Sequence, residues 1–111
     1  MRADYRYVDS AAGVRDVMAR LNDRPRVALD TEGNSLFNYF ERVCLLQLSI
    51  GDEHFLIDPL GGLKLAALYD ALSECPLILH AAENDFRMLY SECGFVPRAG
   101  VFDTLIAAQL L

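Results

Sequence analysis

The periodicity of the apolar residues changes once along this chain, and that change limits the folds open to it. Between residues 26 and 58 the apolar positions follow a period of two, which predicts strands over 26–32, 43–50 and 54–58, with Gly51-Asp52 turning the second into the third. From residue 65 the period is about 3.6. It predicts helices over 65–72 and 82–93, separated by a short strand over 77–80. An antiparallel meander followed by strand–helix alternation predicts the α/β class, a mixed sheet with flanking helices.

The two ends of the chain extend this pattern. Residues 5–8 are predicted to form a short strand, and a helix follows whose cap is Asp9 or Ser10. A right-handed crossover brings strand 77–80 beside residues 27–29 and parallel to them. Gly94 ends the helix over 82–93, whose inward residues we expect to be Phe86, Leu89, Tyr90 and Cys93. Asp103 is the expected N-cap of a last helix over 104–111, and its apolar stripe still continues at the last residue, so we expect a C-terminally incomplete domain.

Length and composition predict one acidic domain. The 111 residues contain no linker-like stretch, and ten Lys and Arg against sixteen Asp and Glu give a net charge of −6. This balance argues against a protein that coats nucleic acid through a basic surface. No apolar stretch approaches the ~20 residues that span a bilayer. We therefore expect a cytoplasmic protein without a membrane partner. The three cysteines are too far apart for a zinc motif, so we expect reduced thiols in the core.

Asp30 and Glu32 are two residues apart at the C-terminal end of a predicted strand, so both carboxylates project from the same face. This is the end at which open α/β sheets form their ligand crevice. Two neighbouring carboxylates destabilise each other unless a cation lies between them, and Mg²⁺ or Mn²⁺ meets that need. The alternative is a strand that ends at Asp30, with its acids in the following loop.

Asp85 adds a third acid from the helix over 82–93, where it lies at the edge of the inward stripe. If strand 77–80 is parallel to residues 27–29, this helix begins in the same crevice, and we expect Asp30, Glu32 and Asp85 to converge there. The alternative for Asp85 is a first-turn acid that the helix dipole stabilises.

Five ordered motifs carry a resemblance to a known family: Val-Ala-Leu-Asp30-Thr-Glu-Gly, Val43-Cys-Leu-Leu-Gln-Leu, Leu56-Ile-Asp-Pro-Leu, His80-Ala-Ala-Glu-Asn-Asp85-Phe-Arg-Met-Leu and Val101-Phe-Asp-Thr. They resemble ribonuclease D and its relatives, the DEDD 3′–5′ exonucleases of ribonuclease H-like fold. The resemblance implies that residues 1–111 are part of a 3′–5′ exonuclease domain. It also implies hydrolysis of phosphodiester bonds from the 3′ end of single-stranded RNA or DNA, with RNA favoured.

The resemblance also implies roles for individual residues. Asp30, Glu32 and Asp85 match the family's catalytic metal ligands, which hold two Mg²⁺ or Mn²⁺ ions in a complete domain. Thr31, Leu36 and Phe37 match substrate-binding positions, with Leu36 as the apolar wedge against the terminal bases. We interpret Asp103 as a helix cap rather than a ligand, and His80 as a structural histidine.

The family's third motif, Tyr-x-x-x-Asp, is expected to be absent. Tyr5 and Asp9 have its spacing but precede the first motif on a predicted strand, so we interpret them as a chance match. We therefore expect little or no nuclease activity from this chain alone. Two alternatives stay open: a catalytically inactive module that binds metal or nucleic-acid ends without cutting, and a phosphoacceptor domain of receiver type. The receiver reading requires a lysine at a later strand end, and the sole lysine, Lys64, is not in that place.

Overall fold

The structure is a computed structural model, and it describes residues 4–33 and 42–111. Leu36 and Phe37 lie outside the described residues. The elements in chain order are β1 (Tyr5–Val8), α1 (Ala11–Arg20), β2 (Val27–Gly33), β3 (Val43–Ile50), β4 (Glu53–Ile57), α2 (Ala66–Ser73), β5 (Leu77–Leu79), α3 (Ala82–Cys93), β6 (Val101–Asp103) and α4 (Thr104–Leu110). The predicted strands and helices between residues 26 and 93 are confirmed, with bounds that differ by one residue at most.

The strands form one mixed sheet in the order β1-β4-β3-β2-β5-β6. The antiparallel meander β2-β3-β4 is confirmed, and so is the parallel pairing of β5 with β2, in which Val27 faces Leu77. Two pairings complete the sheet at its edges. β1 joins β4 in parallel, and β6 joins β5 in parallel.

The apolar core lies against one face of this sheet. In β2 the buried residues are Val27, Leu29 and Thr31, whereas Asp30 and Glu32 alternate onto the other face and are exposed. The neighbouring strands place their buried residues in register with the first set: Leu46, Leu48, Phe55, Ile57, Leu77 and Leu79. Each such side chain contributes roughly 1.5–3 kcal/mol when it is removed from water. The core therefore fixes the register of β2 and, with it, the face on which Asp30 and Glu32 lie.

The inward face of α3 differs from the prediction. Leu89 is buried and Phe86 is half-buried, but Tyr90 is 64% exposed and Cys93 is exposed. The buried residues of α3 are Ala82, Asp85, Met88 and Leu89. Relative to the prediction the helix is rotated toward Met88, and Phe86 lies at the edge of the buried stripe, stacked on Phe95 with 6.2 Å between ring centroids. This rotation turns Asp85 inward.

The expected cap of α1 and the expected end of α3 are confirmed, and the cysteines are less buried than expected. Ser10 caps α1 by accepting a hydrogen bond from the Gly13 N–H at 3.1 Å, and Gly94 ends α3 with a φ of 72°. The three cysteines are free, as expected, but only Cys75 is buried, since Cys44 is half-buried and Cys93 exposed. Among the described residues, no helix has the length and apolarity needed to cross a membrane.

A candidate metal site at the ends of β2 and α3

Asp30 and Glu32 lie within β2, which continues to Gly33. The alternative in which the strand ends at Asp30 is therefore wrong. The pairing with β3 holds both residues in extended geometry, since Asp30 faces Gln47 and Glu32 faces Leu45. A bulge follows at once, because the register shifts between Glu32 and Gly33. The two carboxylates are exposed on the same face, at the last regular positions of the strand.

Asp85 occupies the first turn of α3, and it is buried, with 7% of its surface exposed. Its Oδ1 accepts two hydrogen bonds from Thr31. One comes from the backbone N–H at 3.1 Å, and the other comes from the side-chain hydroxyl. Thr31 is itself buried, 7% exposed, on the core face of β2. These hydrogen bonds therefore link the first turn of α3 to Thr31, which lies between Asp30 and Glu32 in β2.

The electrostatics of Asp85 are unfavourable. Burial, above all, raises the pKa of this carboxyl, and the charge of Asp30 raises it further, whereas the two hydrogen bonds from Thr31 lower it. A buried carboxylate that repels a neighbouring carboxylate reduces the free energy of unfolding at neutral pH. The charges of Asp30 and Asp85 therefore act on each other.

No Arg, Lys or His compensates this pair within residues 4–33 and 42–111. The ion pairs described there join Arg6 to Asp16, Arg20 to Glu53, Arg42 to Glu92 and Arg98 to Glu74. Carboxylate oxygens are the donors that a hard divalent cation prefers, so the donor set of Asp30 and Asp85 fits Mg²⁺ or Mn²⁺.

The structure does not bring Asp30, Glu32 and Asp85 together as predicted. In the described part of the chain, no group of three His, Cys, Asp or Glu side chains is arranged to hold one ion. The reason is the alternation of β2, because Asp85 is bonded to Thr31 on the core face while Asp30 and Glu32 extend from the opposite face. The charge of Asp30 nevertheless raises the pKa of the Asp85 carboxyl. The assignment of Glu32 as a ligand stays a prediction.

The predicted substrate contacts are Thr31, Leu36 and Phe37, and of these Thr31 lies within the described residues. Thr31 is buried, and both its hydroxyl and its backbone N–H donate to Asp85. Contact between Thr31 and substrate stays a prediction. Leu36 and Phe37 fall outside the described residues.

Asp103 is confirmed as the N-cap of α4, since its Oδ1 accepts the backbone N–H groups of Leu105 at 2.9 Å and Ile106 at 3.4 Å. A second role of the Asp103 carboxylate was not predicted from the sequence. The same carboxylate accepts the N–H of Ala81 at 3.0 Å and the N–H of Ala82 at 2.7 Å, at the start of α3. The sequence did contain one signal for this, because neither alanine can cap a helix with its own side chain. His80 agrees with a structural role, since its Nδ1 lies 2.9 Å from the Thr104 Oγ1.

A protein-family model matches almost the whole chain. Residues 5–111 match a family described as 3′–5′ exonuclease. Among curated relatives, ribonuclease D of Nitrobacter hamburgensis is 31% identical over 107 residues, which cover 94% of this chain and 28% of that protein. Ribonuclease D of Xanthomonas oryzae pv. oryzae is 39% identical over 87 residues, covering 77% and 24%. The chain thus spans about a quarter of the length of these relatives.

Solved structures give the same fold. Escherichia coli RNase D, described as an exoribonuclease involved in structured RNA processing, superposes with a TM-score of 0.82 at 28% identity, covering 95% of this chain and 28% of that one. The catalytic core of RRP6 from Trypanosoma brucei superposes with a TM-score of 0.80 at 26% identity, covering 96% and 30%. The predicted ribonuclease H-like arrangement of the sheet is confirmed by these superpositions.

Proposed function

Because this chain belongs to the 3′–5′ exonuclease family, we propose that it carries metal-binding carboxylates of a ribonuclease D-type enzyme that shortens nucleic acids from the 3′ end. The observation that carries the proposal is the Asp30–Asp85 pair. Asp85 is buried beside a like charge and bonded to Thr31, in a part of the sheet where no cationic side chain of the described residues reaches it. Carboxyls whose pKa is raised by burial and by a like charge cluster at functional sites, where a bound cation offsets the repulsion.

In this proposal Asp30, Glu32 and Asp85 would hold two Mg²⁺ or Mn²⁺ ions. When bound, such ions lower the pKa of a water nucleophile and stabilise the charge that develops on the phosphate and on the departing 3′ oxygen. The protein's part is to fix the donors. β2 holds Asp30 and Glu32 at a spacing of two, and Thr31 fixes the side-chain rotamer of Asp85 through Oδ1. Bound cations would also offset the net charge of −6 where an anionic substrate arrives.

The proposed substrate is a single-stranded 3′ end, with RNA favoured over DNA. The support is the relationship to the E. coli protein described as an exoribonuclease. Leu36 and Phe37 would supply apolar surfaces for the terminal bases, because unpaired bases stack on such side chains. A cytoplasmic location, where RNA is available, is part of the same proposal and is tested by fractionation of cells.

A second candidate is a module that binds metal or nucleic-acid ends without cutting. One observation favours it: the described residues contain no ready-made group of three ligands. Two-metal hydrolysis depends on fixed coordination, so a site with too few fixed donors binds an ion more easily than it catalyses.

The deciding experiment is digestion of single-stranded RNA and DNA, labelled at the 3′ or the 5′ end, by this chain in Mn²⁺. The variants are Asp30→Ala and, as the matched control, Asp52→Ala, which removes an exposed acid from the β3–β4 turn. Stepwise loss of the 3′ label that Asp30→Ala abolishes and Asp52→Ala preserves would support the exonuclease. Because little activity is expected from this chain alone, calorimetric Mn²⁺ binding that requires Asp30 would support the second candidate only if a longer protein that contains these residues does not digest either substrate. If Asp30→Ala changes neither binding nor digestion, both candidates are refuted.

A further inference from the structure

One carboxylate links three elements of the structure at the edge of the candidate site. Asp103 ends β6, caps α4, and also accepts the N–H groups of Ala81 and Ala82 at the start of α3. The backbone N–H groups at the start of a helix have no partner within the helix, so they require one from outside. For α3 that partner comes from a residue 21 positions later in the chain.

The start of α3 requires such a partner for a second reason. Ala81 lies at the N-cap position of α3 with φ 56° and ψ 58°, in the left-handed region, and it provides no side-chain cap. This conformation is strained for an L-residue other than Gly, Asn or Asp. The surrounding bonds must therefore hold it in place, and the bond from the Ala81 N–H to Asp103 acts directly on that residue.

A second pair of bonds fixes the same corner. The Thr104 hydroxyl donates to the Leu79 carbonyl at 3.3 Å, and it also lies 2.9 Å from Nδ1 of His80. Because the single hydroxyl proton goes to Leu79, His80 donates its Nδ1–H to Thr104. The end of β5 is thereby tied to the start of α4, and the chain enters α3 from a fixed point.

Asp85 follows this corner within the first turn of α3, three residues after Ala82. Its carboxylate meets Thr31 of β2 on the other side of that turn. Asp103 bonds to the backbone at the start of the turn, and Thr31 bonds to the side chain that the turn carries. A shift of the turn would move the Asp85 carboxylate relative to Asp30 without any change in the acids themselves.

We infer that Asp103 is a positioning residue for the candidate site: it holds the first turn of α3 so that Asp85 is presented to Thr31 and Asp30. Its part in metal binding rests on the proposed function, whereas its part in placing Asp85 does not. Groups that orient ligands from outside the coordination sphere commonly change metal affinity by about 10–100-fold when they are removed.

The test compares Asp103→Ala with Ser10→Ala, because both remove a side-chain cap from a helix and only Asp103 borders α3. Two quantities are measured. One is the affinity for Mn²⁺ by calorimetry, and the other is the proton chemical shift of the Thr31 amide, which reports its bond to Asp85 without any metal. We expect Asp103→Ala to weaken Mn²⁺ binding about tenfold or more and to move the Thr31 amide signal. Ser10→Ala should lower the melting temperature and leave both quantities as in the wild type.

Asp103→Asn keeps the test decisive if Asp103→Ala does not fold. Asparagine retains one oxygen that can accept from the helix N–H groups, so its effect on both quantities should lie between wild type and Ala. The inference is overturned if folded Asp103 variants bind Mn²⁺ and show a Thr31 amide like the wild type. If the wild-type chain binds no Mn²⁺, the proposed function fails, and the Thr31 amide alone decides whether Asp103 places Asp85.

Discussion

Replacing Thr31 by Val tests the hydrogen bond that connects the core to the candidate site. Valine has nearly the shape of threonine but lacks the hydroxyl that donates to Asp85 Oδ1, and the backbone N–H bond at 3.1 Å stays. A hydrogen bond to a charged group contributes about 1.5–3 kcal/mol to stability. The additional methyl group of Val, which is buried at this position, returns up to roughly 0.8 kcal/mol. We expect a net loss of about 1–2 kcal/mol in the free energy of unfolding at pH 7.

The effect of Thr31→Val should depend on pH, and the sign follows from Asp85. Burial raises the pKa of this carboxyl, so the folded protein binds its proton more tightly than the unfolded chain does. Stability therefore falls as pH rises through the raised pKa, and it recovers as pH falls toward the ordinary value of an aspartate. Removing the hydroxyl donor raises the pKa of Asp85 further. The destabilisation by Thr31→Val should be larger at pH 7 than near pH 4.

The matched control is Thr31→Ser, which keeps the hydroxyl and loses the methyl group. It should cost about 1 kcal/mol through the small cavity, and this cost should be the same at both pH values. Urea unfolding followed by far-UV circular dichroism suits a chain without tryptophan. Equal pH dependence for Thr31→Val and Thr31→Ser would refute the reasoning. So would an undiminished effect of Thr31→Val in an Asp85→Ala background, where the acceptor is gone.

Three further predictions concern the acids and the start of α3. Asp85→Asn should raise the melting temperature at pH 7, because it removes a buried charge that repels Asp30. The same substitution should abolish any stabilisation by Mn²⁺. Melting curves recorded with and without Mn²⁺ test both expectations. The bonds from the Ala82 N–H and its neighbours lower the pKa of Asp103, so its contribution to stability is present above the ordinary aspartate pKa and is lost as pH falls through the lowered value. Melting curves between pH 2 and 5 should therefore converge for wild type and Asp103→Asn, and parallel curves would contradict this. Ala81→Gly should stabilise the protein by up to about 1 kcal/mol in urea unfolding, since glycine adopts a positive φ without strain, and a loss of stability would show that Ala81 is not strained.

The elements with strong local periodicity could be predicted from the sequence. The meander and helix α3 with its end at Gly94 were predicted correctly, because alternation and the Gly94 stop are encoded by consecutive residues. The position of β1 beside β4 was not predicted. Four residues of strand pattern contain no information about which distant strand they pair with.

The site was partly predictable for the same reason. Alternation placed Asp30 and Glu32 on one face, and helical spacing placed Asp85 near the core. The rotation of α3, which buries Met88 and exposes Tyr90, depends on how the helix packs against residues distant in the chain, such as Thr31. The bonds from Thr31 to Asp85 and from Ala82 to Asp103 join residues 54 and 21 positions apart, and local patterns do not contain such pairs.

The sheet has its core on one face and Asp30 and Glu32 on the other, and this division affects how freely the site can change. Substitutions at Asp30 and Glu32 alter side chains that are exposed, so other donor types can be introduced there at little cost to folding. Asp85 lacks this freedom, because its carboxylate is bonded to a buried residue of the core face. In a directed-evolution library, the two strand acids should accept many replacements in folded variants, whereas Thr31 and Asp85 should change together.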